Sequence, residues 1–149
     1  MSCVVGCPYD GYIKPIQVRD IAYRLLDIGC YEISLGDTIG VGTVNTTKRM
    51  LEAVLHDIPP EKLAVHYHDT HERALENILG ALEMGITTID SSVTSLGGCP
   101  YAKGATGNVS TEDVVYLLEQ LNVRTGVDLD KLMEIADWIS KEIKHENRV

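Results

Sequence analysis

Four short apolar, β-branched runs recur along this chain, each followed by a helical pattern, and that alternation restricts the fold more than any other feature. The runs cover residues 3–7, 31–35, 63–67 and 86–93. Pro15 can open the first helix, with Val18, Ile21, Ala22, Leu25 and Leu26 on one face and Gly29 at its end. The second carries Met50, Leu51, Val54 and Leu55 and stops before Pro59-Pro60. The third carries Leu75, Ile78, Leu79 and Leu82 and ends at Gly85. Ser110 with Asp113 has the form of a capping box for a fourth, which buries Val114, Val115, Leu117, Leu118 and Leu121. A last amphipathic helix starts near Asp128 and runs past Trp138. Apolar strands alternating with helices predict a parallel sheet covered by helices.

Each run ends in polar or glycine-rich sequence: Gly6-Cys7-Pro8-Tyr9-Asp10, Gly36-Asp37-Thr38, the stretch from His66 to Thr70, and the loop holding Cys99. In α/β folds the chemistry collects at the C-terminal ends of strands, so four such ends suggest a barrel-like arrangement. A (β/α)8 barrel needs about 250 residues and eight strands. The 149 residues supply about four βα units. The expectation is therefore one unit over residues 1–149, a partial (β/α)8 TIM barrel. Its inner face and parallel-strand edges would be left for a partner or further chain to cover.

With 44% hydrophobic residues the chain can bury an ordinary core. A net charge of -9 and no basic cluster exclude nucleic-acid and anionic-membrane surfaces as partners. No apolar stretch approaches the roughly 18 residues of a membrane span, and Met1-Ser2-Cys3-Val4-Val5-Gly6-Cys7 does not read as a signal peptide. Four cysteines in such a sequence read as reduced thiols, with Cys3 and Cys7 as packing residues.

His66 and His68, at i and i+2 on a strand, project to the same face. Two neutral imidazoles converging there could clasp a divalent cation, or could equally be structural histidines hydrogen-bonded within a barrel interior. Asn108 could add a hard oxygen ligand, although an asparagine before a helix is more often a cap. Magnesium or manganese would call for a carboxylate as well, with Asp37 and Asp69 the local candidates. Asp37 could as well cap a turn. His56, His71 and His145 read as solvated. Cys99 sits between Gly97-Gly98 and Pro100, with Gly104 and Gly107 beyond, which marks an irregular loop able to close over a ligand with an exposed thiol at its tip.

Taken together these motifs resemble the 3-hydroxy-3-methylglutaryl-CoA lyase family of metal-dependent TIM-barrel lyases. The resemblance runs through Cys3-Val4-Val5-Gly6-Cys7-Pro8-Tyr9, the segment from Tyr31 to Thr43, Ala64-Val65-His66-Tyr67-His68-Asp69-Thr70, Asp90-Ser91-Ser92-Val93, Leu96-Gly97-Gly98-Cys99-Pro100-Tyr101-Ala102 and Gly107-Asn108. It implies retro-Claisen cleavage of an acyl-CoA to acetyl-CoA and acetoacetate, with a divalent metal (Mg2+ or Mn2+) on His66, His68 and Asn108. It also implies Cys99 and His66 as catalytic residues, Cys99 as proton donor to the departing enolate, and Asp37 and Glu112 in support. Where the family commonly has Ala-Gly this chain has Thr94-Ser95, and His71-Glu72-Arg73 replaces Tyr-Gly-Gln. Nothing in the chain matches the arginine–aspartate pair of the family's first strand, so this reads as the C-terminal half. Two other readings follow: a catalytically incomplete half-barrel that associates with itself or with an N-terminal half, and a related Claisen-type acyl-CoA synthase. The synthases usually carry His-x-His-Asn-Asp and lack the Gly-Gly-Cys-Pro loop. The expected compartment is the bacterial cytoplasm, or the mitochondrial matrix for a eukaryotic source.

Overall fold

The computed structural model describes residues 1–99 and 107–143. A tight hairpin, β1 (Gly6–Cys7) and β2 (Gly11–Tyr12), is followed by α1 (Pro15–Asp27), β3 (Ile33–Asp37) and α2 (Val44–Leu55). Then come β4 (Leu63–Tyr67), α3 (Ala74–Glu83), β5 (Thr88–Asp90), α4 (Thr111–Gln120) and α5 (Leu129–Ile143). Strands β3, β4 and β5 form one parallel sheet in that order. The register sets Gly36 beside His66 and His66 beside Asp90.

Side chains alternate across this sheet. Ile33, Leu35, Leu63, Val65 and Tyr67 point to one side and are buried there. They belong to the same core as Val18 and Ala22 of α1, Met50, Leu51 and Val54 of α2, and Ile78 and Ala81 of α3. Burying each large apolar side chain contributes about 1.5–3 kcal/mol, so this layer fixes the register. The other side carries Ser34, Gly36, His66 and Asp90. It has no helix layer among the described residues, and Ser34, His66 and Asp90 remain half-buried there.

The helix boundaries follow local chemistry. Pro15 opens α1, where its missing N–H is harmless, and Gly29 follows the helix at φ 104°. Thr43 caps α2 by accepting from the Thr46 N–H at 3.3 Å. Ser110 caps α4, accepting from the Asp113 N–H at 3.0 Å and donating its hydroxyl to the Asp113 carboxylate at 2.7 Å. No helix among the described residues is long and apolar enough to cross a membrane.

Two expected strands are corrected. Residues 3–7 are not a strand of the parallel sheet: only Gly6 and Cys7 pair, and they pair antiparallel with β2. The segment before them does lie along β3, where the Gly36 N–H donates to the Met1 carbonyl at 2.8 Å and the Val4 N–H to the Gly36 carbonyl at 3.0 Å. Cys3 lies between these bonds at φ 60°, a left-handed turn that breaks the extended backbone a ladder needs. The last strand is also shorter than 86–93: it covers Thr88–Asp90, Ser92 makes only an isolated bridge to Ser110, and Val93–Ser95 turns into a 3-10 helix with Thr94 at φ 55°. The described residues thus form a three-stranded parallel sheet and no closed barrel.

Candidate active site

The site lies at the C-terminal end of β4. His66 is on that strand and His68 is the first residue beyond it, held by a backbone bridge to Asn108 and by its N–H donating to the Asp37 carbonyl at 3.3 Å. Strand alternation sends both rings the same way, with centroids 5.5 Å apart. Both line a cleft of about 410 Å³ whose walls include Ser34, Thr38, Gly98 and Cys99. The paired imidazoles and the thiol therefore face one space.

The surroundings of His68 suit ligation. Burial lowers the proton affinity of His68, and the neighbouring His66 lowers it further, so the ring favours its neutral form. Its Nδ1 is buried with no hydrogen-bond partner, a deficit of roughly 1–3 kcal/mol for a polar group. A cation would satisfy that nitrogen, and the donor set of two imidazoles and a carboxamide fits a divalent ion. Asn108 donates its Nδ2 to the Leu96 carbonyl at 2.8 Å, leaving Oδ1 as the acceptor available to a ligand. That bond also ties the two ends of the thiol loop together. At the loop base a side chain on Gly107 would meet the Ser95 carbonyl oxygen at 2.3 Å, so only glycine closes it. Asn108 is not the cap of the following helix, because Ser110 fills that role.

The carboxylates take other places. Asp37 is buried on the helix side, where it accepts from the Gly42 N–H at 2.7 Å and the Val41 N–H at 3.2 Å. Burial pushes its carboxyl up in pKa, and these backbone donors oppose the rise. A Cβ at Gly42 would come within 2.8 Å of Asp37 Oδ2, so the close approach requires glycine. Asp69 accepts from the Ala74 N–H at 2.8 Å, at the start of α3. Neither lines the cleft, and both carboxylates accept from backbone N–H groups. Among the described residues no group of three or more His, Cys, Asp or Glu side chains is arranged to hold a metal. Glu112, in the first turn of α4, accepts the Thr94 N–H with both oxygens, at 2.9 and 3.1 Å. It thereby anchors the start of the thiol loop. Gly97, Gly98 and Cys99 are described, whereas Pro100 and His145 lie outside the described residues.

Two residues at the site were not singled out from the sequence. Asp90 stands beside His66 across the β4–β5 register, its Oδ2 3.5 Å from His66 Nδ1. Ser34 donates its hydroxyl to the same oxygen at 2.6 Å. A polar residue at the end of an apolar strand was the available signal, but only the register pairs it with the histidine.

A parallel α/β sheet with imidazoles, a thiol and a carboxamide gathered at its strand ends belongs to the class of folds that carry their chemistry there. The HMGL-like family profile matches residues 1–139, and the chain belongs to that family. The human cytoplasmic 3-hydroxy-3-methylglutaryl-CoA lyase is 59% identical over 143 residues, which are 96% of this chain and 39% of that protein. The crystal structure of hydroxymethylglutaryl-CoA lyase from Pseudomonas aeruginosa superposes with a TM-score of 0.95 at 54% identity, covering 99% of this chain and 49% of that one. A lyase from Acinetobacter baumannii, in complex with coenzyme A and 3-methylmalate, gives 0.94 at 35% identity, with 99% and 48% covered. The chain thus spans half or less of the length of these relatives.

Proposed function

We propose that this chain carries the C-terminal half of a metal-dependent lyase that cleaves 3-hydroxy-3-methylglutaryl-CoA to acetyl-CoA and acetoacetate. One observation carries the reading: His66, His68 and Cys99 line the same cleft at the strand ends. The curated relatives are named for this activity, and the Acinetobacter baumannii relative holds coenzyme A, which supports an acyl-CoA substrate. His66, His68 and Asn108 would hold a divalent cation, Mg2+ or Mn2+. When bound, that ion would favour ionisation of the substrate's tertiary hydroxyl.

In this reading the hydroxyl gives up its proton and its oxygen becomes the ketone of acetoacetate. The C2–C3 bond breaks, and its electron pair moves into the thioester as the acetyl-CoA enolate. Cys99 delivers its thiol proton to C2, and the proton lost from the hydroxyl restores the thiol, so the step needs no oxidant or reductant. Gly97 and Gly98 let the loop bring Cys99 over the cleft, while Glu112 and Asn108 hold its two ends. Asp37 keeps the turn through Val41 and Gly42, just after β3, folded.

The parallel order β3-β4-β5, with His66, Asp37 and Asp90 toward its C-terminal strand ends, supports about four βα units of a (β/α)8 barrel over residues 1–149. The half-buried cleft side of the sheet favours association with a complementary half-barrel, or with a second copy. Four free thiols suit a reducing compartment such as the cytoplasm. A chimera tests the function: residues 1–149 replace the matching half of the Pseudomonas aeruginosa lyase, and acetoacetate release is measured with Mg2+ or Mn2+. Turnover that disappears on Cys99→Ala supports the proposal. A folded, metal-loaded chimera without turnover refutes it.

A further inference from the structure

We infer that Asp90, held by Ser34, is a positioning residue that fixes the His66 ring with Nδ1–H toward β5 and Nε2 toward the cleft. The inference rests on the reading of His66 as a cation ligand and adds the group that prepares it. Three strands contribute. The register puts His66 and Asp90 side by side, so both side chains leave the sheet on the cleft side. From β3, Ser34 reaches across β4 and donates its only hydroxyl proton to Asp90 Oδ2 at 2.6 Å, which fixes the carboxylate. The same oxygen stands 3.5 Å from His66 Nδ1, just beyond ordinary hydrogen-bond length.

A carboxylate only accepts, so the nitrogen facing it is the one that carries hydrogen. With the proton on Nδ1, the Nε2 lone pair is left for a ligand. In metal sites this arrangement fixes both the tautomer and the direction of the ring. His68 is held differently. Its Nδ1 has no partner, and its place is set by the backbone bridge to Asn108. The two rings are therefore oriented by separate devices, and removing Asp90 should disturb only one of them.

The test uses the full chain, 15N-labelled and free of metal. Long-range 1H–15N spectra of the neutral imidazoles report which nitrogen carries hydrogen. The expected result is a single Nδ1–H tautomer for His66, shifting toward Nε2–H in Asp90→Ala and, less strongly, in Ser34→Ala, with His68 unchanged. An unchanged His66 pattern in both folded variants would overturn the inference. Ser34→Ala keeps the test decisive if Asp90→Ala does not fold. A second arm adds Mn2+ and follows paramagnetic broadening. His66 and His68 should broaden before His56 and His71, with the midpoint for His66 about tenfold higher in Asp90→Ala. Broadening that spares both rings of the wild-type chain would sink the cation reading alone, since the tautomer measurement needs no metal.

Discussion

On the helix side of the β3–β4–β5 sheet, Ile33, Leu35, Leu63, Val65 and Tyr67 are each at most 3% exposed, whereas His66 and Asp90 on the cleft side keep about 40% of their side chains exposed. Neighbours in sequence thus serve opposite ends. The helix-side layer is packed to completion and sets the register. The cleft-side layer carries groups that water or a ligand must reach. A one-residue slip of β4 would exchange the two sets, placing Val65 in the cleft and His66 in the core. Apolar packing on one side therefore guarantees the placement of the chemistry on the other.

The sharpest way to break this comparison is to alter the cleft side and look for a stability effect. In the chimeric lyase, His66→Ala and Cys99→Ala should each lower turnover by roughly 10³-fold, the scale of a lost cation ligand or general acid. Neither should shift the melting temperature by more than a few degrees. A large drop in melting temperature would mean that the cleft side also supports the fold, and the division proposed here would fail.

The reciprocal experiment acts on the packed side. Leu35 is fully buried against the helix layer, and Leu35→Ala should cost about 3 kcal/mol in denaturant unfolding. Turnover per folded molecule should stay near wild type. If unfolding changes by less than about 1 kcal/mol, Leu35 is not the core residue that the register makes it.

Acid should sharpen the contrast further, because His68 straddles it, buried yet facing the cleft. Burial and His66 hold its folded pKa below the ordinary value of 6.5. The unfolded chain then binds the proton more readily than the folded one. Stability from this group is complete above pH 6.5 and declines as pH falls from there toward the depressed folded value. Thermal melts at pH 7.5 and 5.5 should differ more for wild type than for His68→Gln. Equal differences would remove His68 from the acid response.

Much of this organisation was legible in the sequence, and the gaps have physical causes. The parallel core strands could be read because Ile33, Leu35, Leu63, Val65 and Tyr67 give the runs 31–35 and 63–67 an apolar frame between helical patterns, as strands packed under helices have. Ser110 with Asp113 announced α4, since the capping pair is local in sequence. Residues 3–7 misled because composition favours a strand while Cys3 adopts a left-handed turn that no periodicity reveals. Asp90 and Ser34 escaped notice for a different reason. Their meeting on one oxygen spans 56 positions and depends on sheet register, which a single strand does not specify. The backbone donors to Asp37 and Asp69 come from turns whose closure the sequence does not announce.

The smallest effect concerns the start of the thiol loop, where the family commonly has Ala-Gly and this chain has Thr94-Ser95. Both residues lie in the left-handed region, at φ 55° and 57°. Thr94 is held there by the Glu112 carboxylate accepting its N–H, and the Ser95 N–H donates to the Ser92 carbonyl at 3.1 Å. A non-glycine residue in this conformation costs roughly 1–2 kcal/mol. Glycine removes that cost but adds about 0.4–1 kcal/mol of unfolded-chain freedom. Ser95→Gly should therefore stabilise the protein by about 0.8 kcal/mol, the difference between the centres of those two ranges, seen as a small upward shift in the urea midpoint with an unchanged slope. Glu72, also at a family glycine position and at φ 55°, offers the control away from the thiol loop. If Glu72→Gly stabilises and Ser95→Gly does not, the strain at Ser95 is already offset by its contact with Gly107, and the loop base is tighter than its dihedral angles alone indicate.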